Sequence, residues 1–258
     1  MNDAVIKRRK RGEANKDDLA FFSSFSEHEL LSFLRSEEPV ERTCAAIYLQ
    51  KFQNITVIDA VCDQLSVEKK LYTKLALCET LTGCAELSLN PLIALLGKIG
   101  NNHETKIPGT GFYKVSYPLP LDIAARTICR LGHVGILPLE HFIEFSKKEK
   151  AIAQAIDAYG HILYSNKIER PSSTLQKLSE KYSENNFLRY KITRCLSGFH
   201  GEWAKEFLLE TLRKGCGGLK LEALRSLTLL KIALPKDMKN SFSDEMRQLE
   251  LFIQKRQQ

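Results

Sequence analysis

The chain has 258 residues, of which 43% are hydrophobic and 27% are charged. This composition is typical of a folded globular protein and excludes a disordered or collagen-like chain. The formal net charge of +7 is a mild excess of Lys and Arg, which favours anionic partners without identifying one.

The first 20 residues form a basic and polar segment. Five consecutive basic residues run from Lys7 to Arg11, and residues 12–20 behind them are polar and charged. A secretory signal needs an apolar stretch at this point, so none is predicted. The longest apolar run, at residues 92–96, is too short to cross a bilayer. We therefore expect a cytoplasmic protein without membrane contact, whose residues 1–20 are a mobile or peripheral helical tail.

One type of segment recurs along the chain. Each copy is a helical stretch with small residues in its middle, a Leu or Tyr near its end and a polar or Gly-containing turn. The copies follow one another at intervals of about 28 to 37 residues, with one longer interval. In chain order they are residues 41–52, 69–84, 121–133, 150–163, 186–200 and 218–232.

A second, outer helix is predicted between successive copies, because apolar residues recur there at three- and four-residue spacing. Neither helix of such a pair can bury its apolar stripe alone, so neighbouring pairs must stack into one core. The prediction is an all-α solenoid of about six helix pairs over residues 21–235. Residues 236–258 would cap the last pair with a helix whose apolar stripe is Met246, Leu249, Leu251 and Phe252.

The segment from Ile123 to Glu144 resembles a HEAT-type repeat. Paired Ala124 and Ala125 are followed by Arg126, by a Leu-Gly-x-x-Gly turn and by a Leu-Pro step that opens the next outer helix. Weaker copies cover residues 26–232. The resemblance implies a right-handed α-α superhelix. It says little about activity, because HEAT arrays serve as scaffolds, as nucleic-acid binders and occasionally as enzymes.

The longer interval between copies contains an insertion, residues 103–120. Insertions in solenoids form loops on one face, often the binding face. The loop holds three of the eight prolines and two of the eight tyrosines, which indicates an ordered loop. Two interpretations stay open: a recognition element that uses Phe112, Tyr113, Lys114 and Tyr117, or a plug whose aromatic rings pack on the inner helices.

Positive charge is concentrated on the inner helices, whereas the outer helices are acidic on balance. Inner helices line the concave face of such an array, so their cations would form a groove for phosphates or for an acidic protein segment. A merely solvated helix face is the alternative. The cations concerned are Lys74, Arg126, Arg130, Lys150, Arg189, Lys191, Arg194 and Arg225.

No catalytic or metal-binding constellation is recognisable in the sequence. HEAT-like alkylpurine DNA glycosylases combine a basic concave surface with aromatic residues and an Asp, but the single tryptophan, Trp203, is on a predicted outer helix. Asp122 and Asp157 are interpreted as ion-pair partners of nearby Arg residues. His133 and His161 follow the repeat turns, where exposed polar residues are expected. Seven cysteines without a Cys-x-x-Cys pair indicate reduced core thiols.

We therefore expect a non-enzymatic adaptor that binds an acidic protein partner in a basic concave groove, with no cofactor and no metal. The alternative is a nucleic-acid-binding HEAT-like protein related to the alkylpurine DNA glycosylases. The expected partner-binding residues are Phe112, Tyr113, Lys114, Tyr117, Arg126, Arg130, Lys191 and Arg194.

Overall fold

The structure is a computed structural model that describes residues 3–100 and 102–257. Within these residues all regular structure is helical: sixteen α-helices and three short 3-10 helices, without a strand. The all-α prediction is confirmed. The chain divides into two compact units, the first containing residues 3–100 and 122–135 and the second containing residues 102–121 and 136–257.

The first unit is a two-layer arrangement of helices. Helices α4, α6 and α8 pack side by side, and α3, α5 and α7 pack against them. The helices of this unit are α1 Asp3–Arg9, α2 Lys16–Phe22, α3 Glu27–Phe33, α4 Pro39–Leu49, α5 Ile55–Val67, α6 Leu71–Gly83, α7 Leu89–Leu95 and α8 Ile123–Leu131. Short 3-10 helices at Ala85–Ser88 and Gly132–Gly135 complete it.

Side-chain caps explain where several of these helices begin. Asn15 and Ser26 each form a capping box, at the starts of α2 and α3. Asp122 caps α8, because its Oδ1 accepts a hydrogen bond from the Ala125 N–H at 3.0 Å. Its Oδ2 accepts another from the Gly97 N–H at 2.9 Å. Asp122 thus joins the two points at which the chain leaves and re-enters the first unit.

The N-terminal residues are bonded to the helices of the first unit. The Tyr72 N–H donates to the Arg11 carbonyl oxygen at 3.0 Å, and the Tyr48 hydroxyl donates to the Leu19 carbonyl oxygen at 2.7 Å. Arg9 pairs with Asp18 at 2.5 Å. Residues 3–20, expected to be a mobile or peripheral helical tail, contain α1 and the greater part of α2 and are held by hydrogen bonds to α4 and α6.

The second unit repeats the two-layer pattern. Helices α10, α12 and α14 pack side by side, while α9, α11 and α13 pack in contact with them and α16 packs on α14. The helices are α9 Ile136–Phe145, α10 Glu149–Asn166, α11 Ser173–Lys181, α12 Asn186–Cys195, α13 Glu202–Lys214, α14 Gly217–Leu229, α15 Lys236–Asn240 and α16 Asp244–Gln257. A 3-10 helix, Leu196–Gly198, follows α12.

The C-terminal helix buries a stripe that differs from the predicted one. Met246, Leu249 and Ile253 are buried, whereas Leu251 is 54% exposed. Residues spaced by three and four positions share a helix face, and Leu251 lies off that face. Phe252 is half-buried and contacts the ring of Tyr113 instead.

None of the described helices is both long enough and apolar enough to pass through a bilayer. Ala124 and Ala125 of the HEAT-like segment, and Ala153 on α10, are fully buried. The small side chains at these positions allow neighbouring helices to approach one another closely.

Candidate functional site

The insertion lies in the second unit, where it contacts the layer formed by α10, α12 and α14. We call this side of the unit the loop-covered face. The Arg225 guanidinium on α14 donates to the carbonyl oxygens of Lys114 and Ser116, at 3.0 and 2.8 Å. The Tyr164 hydroxyl on α10 donates to the Val115 carbonyl oxygen. The loop backbone is therefore held by side chains from two helices.

Two glycines let the loop approach the helices more closely than other residues would. A β-carbon on Gly160 would lie 2.2 Å from the Tyr117 hydroxyl oxygen, and one on Gly218 would lie 1.8 Å from the Pro108 carbonyl oxygen. Neither distance is compatible with a side chain at the glycine. The absence of a side chain at Gly160 and Gly218 therefore lets the loop pack directly on α10 and α14.

Beneath the loop is a buried charge network of three cations and three carboxylates. Its members are Glu104, Asp157, Lys191, Arg194, Glu222 and Arg225. The Lys191 ammonium lies 2.5 Å from both Glu104 and Asp157. Arg194 lies 2.9 Å from Glu104, and Arg225 lies 2.7 Å from Glu222. Buried charges are tolerated only when they are paired in this way.

The electrostatic environment favours the charged forms of Glu104 and Arg194. Burial alone would raise the pKa of Glu104, but Arg194 and Lys191 hold this pKa below its ordinary value. Burial would lower the pKa of Arg194, and Glu222 and Asp157 raise it well above the usual range. The charges of Glu104 and Arg194 therefore depend on partners from other parts of the chain.

A cavity of about 540 Å³ opens between the loop and the helices. Its helical side is formed by Asp157, Tyr190 and Arg194, and Glu104 stands at its border. The Arg194 guanidinium carbon is 4.6 Å from the centroid of the Tyr190 ring, and the guanidinium also donates a hydrogen bond to the Tyr190 hydroxyl. Phe112, Lys114 and Tyr117 line the loop side. The cavity is thus lined both by aromatic rings and by buried charged groups.

The expected loop residues divide between packing and exposure. Tyr117 is 5% exposed, and burial raises the pKa of its hydroxyl well above the usual range. Tyr113 packs on Phe252, with ring centroids 5.7 Å apart. Phe112 is half-buried beside Arg225, whereas Lys114 is exposed. Tyr117 therefore packs on the helices as the plug interpretation predicts, whereas Lys114 stays accessible to solvent.

The structure corrects the expectation that Lys191 and Arg194 line an open groove. Lys191 is completely buried and Arg194 is 5% exposed, and both pair with carboxylates of the same unit. Arg225 is buried as well. The guanidinium of Arg189 approaches Glu210 on α13, at 3.6 Å. Burial follows because the loop covers the helix layer on which an open groove was predicted.

Arg126 and Arg130 belong to the first unit, on α8. Arg126 is half-buried, and Arg130 is exposed and lies 2.5 Å from Glu79 on α6. The loop residues and Lys191 and Arg194 are in the second unit. Six of the eight expected residues are therefore brought together in one unit.

Sequence reasoning missed Glu104 and Glu222 as functional neighbours of these cations. Glu222 and Arg225 are three residues apart on α14, a spacing that places both on one helix face. The sequence alone could therefore have predicted the pairing of Glu222 with Arg225. Glu104 offered no such signal, because 87 residues separate it from Lys191.

The first unit has a larger cavity, of about 780 Å³, beside α1, α2 and the start of α4. Arg9 and Asp18, which line it, neutralise one another. Among the described residues no group of three or more His, Cys, Asp and Glu side chains is arranged to hold a metal ion. The second-unit cavity is the better candidate for a binding site, because four of the eight expected binding residues line it: Phe112, Lys114, Tyr117 and Arg194.

Comparison of the chain with protein-family models and with curated proteins finds no match.

Proposed function

We propose that the chain is a non-enzymatic, HEAT-like adaptor that binds an acidic protein segment at the loop-covered face of the second unit. The observation that carries this proposal is the cavity between loop and helices, which combines the exposed cation Lys114, the aromatic ring of Phe112 and the buried guanidinium of Arg194. Aromatic and Arg side chains are the groups that most often dominate protein interfaces.

The HEAT-like solenoid is part of the proposal. Support comes from the alternation of the helices between two layers, α4, α6 and α8 against α3, α5 and α7 in one unit, and α10, α12 and α14 against α9, α11 and α13 in the other. Helix pairs that stack in this order are the building unit of such repeats. A cytoplasmic location is proposed with it, supported by buried thiols such as Cys44 and Cys195.

An acidic protein segment is preferred to nucleic acid because of how the cations are distributed. Nucleic-acid binding needs a stripe of accessible Lys and Arg that contacts successive phosphates. On the loop-covered face, Lys191, Arg194 and Arg225 are paired within the chain. Lys106 and Lys114 are exposed on the loop. A short acidic segment needs only a few cations beside an apolar surface.

The test compares three labelled probes by fluorescence anisotropy over a salt series: a hexaglutamate peptide, a duplex DNA oligomer and a single-stranded RNA oligomer. The peptide should bind, and Lys114→Glu should weaken its binding. Lys177→Glu is the matched control, because Lys177 is an exposed lysine of the same unit on α11. Tighter binding of an oligomer with a steep salt dependence would support the nucleic-acid alternative instead.

A further inference from the structure

Glu104 differs from the other members of the buried charge network. Glu104 belongs to the insertion, outside any helix. The other five members lie on α10, α12 or α14: Asp157, Lys191, Arg194, Glu222 and Arg225. The Glu104 side chain is 18% exposed, compared with 6% or less for its partners Asp157, Lys191 and Arg194. Glu104 is therefore the member that can leave the network with the least change in the helices.

The two halves of the loop are attached differently. The later half is fixed through backbone carbonyl groups that accept from Arg225 and Tyr164, and through the close fit of Tyr117 on Gly160. The earlier half contributes the side chain of Glu104, which accepts from Lys191 at 2.5 Å and from Arg194 at 2.9 and 3.4 Å. Further along this half, the Pro108 carbonyl group lies against Gly218. Glu104 can thus move while residues 113–117 keep their place.

The cavity reaches one of these cations, Arg194, whereas Lys191 lies buried behind Glu104 and Asp157. Glu104 and Arg194 both line the cavity, so a group that enters the cavity meets Arg194 beside the carboxylate already bound there. Arg presents paired donors that match a carboxylate. Glu104 accepts hydrogen bonds from two guanidinium nitrogens of Arg194 in this way.

We infer that Lys191 and Arg194 form a carboxylate-binding site, which Glu104 occupies as an internal stand-in for a side-chain carboxylate of an acidic ligand. This inference rests on the proposed function, because it names the chemical group through which the acidic partner is recognised. The incoming carboxylate reaches the site through the second-unit cavity and displaces Glu104 together with the adjoining residues 102–106, while Pro108 stays seated on Gly218.

Charge balance selects the ligand class. The network contains equal numbers of cations and carboxylates. Exchange of one carboxylate for another preserves this balance, whereas replacement by a neutral or cationic group would leave a buried cation without compensation. Asp157 and Glu222 stay in place during the exchange, because both are carried by packed helices.

The test removes the internal competitor. Glu104→Gln keeps the shape of the side chain and abolishes its charge, so hexaglutamate and the small dicarboxylate glutarate should bind more tightly. If Glu104 occupies the site in about nine molecules of ten, the gain is about tenfold. Glu140→Gln is the matched control: Glu140 is a half-buried carboxylate of the same unit, paired with Arg170 at 2.6 Å on another face. It removes the same charge and should leave both affinities within about twofold of the wild type.

The outcomes separate the two proposals. Equal affinities of Glu104→Gln and Glu140→Gln for both probes would overturn the carboxylate site. A gain for glutarate without a gain for hexaglutamate would keep the site and overturn the acidic-protein partner. Arg194→Met in the Glu104→Gln background should abolish the gain.

A measurement on the wild type covers the case in which Glu104→Gln does not fold. Saturating hexaglutamate should accelerate amide hydrogen exchange around residues 102–106 and leave residues 113–117 unchanged. Unchanged exchange in both segments at saturation would overturn the displacement of Glu104.

Discussion

The Tyr117 hydroxyl oxygen lies 2.2 Å from the point where a β-carbon on residue 160 would stand. Tyr117 is buried, and its hydroxyl has no hydrogen-bond partner among the described residues. The ring also lies beside Tyr164, with centroids 5.8 Å apart. The Tyr117 ring therefore packs directly on α10 at Gly160, where the helix has no side chain, and this contact holds the loop on the helix.

Gly160→Ala tests this fit. Ala is favoured over Gly in a helix by about 1 kcal/mol, so an unconstrained site would gain stability. Here the methyl group meets the Tyr117 ring, and overpacking of this kind costs about 1–3 kcal/mol. We expect a lower free energy of unfolding in urea titrations. In a Tyr117→Ala background the same change should be neutral or stabilising, and an equal loss in both backgrounds would contradict the close fit.

Protonation of Glu68 at low pH should make the protein less stable. Burial alone would raise the pKa of Glu68, but hydrogen bonds from Arg42, from the Lys70 N–H and from Gln64 lower it to about 2. Because the pKa is lower in the folded state than in the unfolded state, ionised Glu68 stabilises the fold above about pH 4.5. This stabilisation, about 3 kcal/mol, is lost as the pH falls to about 2.

The measurement is the free energy of unfolding as a function of pH for the wild type and Glu68→Gln. The variant should be the less stable near neutral pH, and the difference should shrink as the pH falls through this window. Glu86→Gln, at an exposed position, should change the free energy of unfolding little. A difference between wild type and Glu68→Gln that does not vary with pH would contradict the prediction.

Ala125→Leu should destabilise the first unit. Ala125 is completely buried on α8, so the larger side chain must displace its neighbours. We expect a loss of about 1–3 kcal/mol in chemical denaturation. Leu137→Ala, at a position that is 64% exposed, serves as a control with a small effect. A neutral Ala125→Leu would show that the site has room for a larger side chain.

The cysteines should react with a thiol reagent at very different rates. Cys216 is exposed just before α14, whereas Cys44, Cys62 and Cys195 are buried. Burial also raises the pKa of Cys44 and Cys62 to about 12, which suppresses the reactive thiolate. The fastest labelling phase under native conditions is expected from Cys216, ahead of the half-buried Cys129, and Cys216→Ser should remove it. Rapid labelling of the buried thiols in the Cys216→Ser variant would contradict the packing of these cysteines.

Local patterns were sufficient for the helices and for much of their core. Apolar spacing identified the outer helices, and the paired small residues of the HEAT-like segment, Ala124 and Ala125, are buried. These features depend on residues within one or two helical turns, so a short stretch of sequence contains the information. The register of α16 was the exception, because which of Leu251 and Ile253 is buried depends on how the helix packs on α14.

The sequence by itself determined that this chain is all-helical, that it contains an ordered insertion and that cations gather on one set of helices. Only the tertiary structure decided that Lys191, Arg194 and Arg225 are buried and paired instead of open to solvent. The reason is distance along the chain: Glu104 is 87 residues from Lys191, and the Lys114 carbonyl group is 111 residues from Arg225. A cation is buried or exposed according to whether a remote partner reaches it, and folding alone brings that partner into contact.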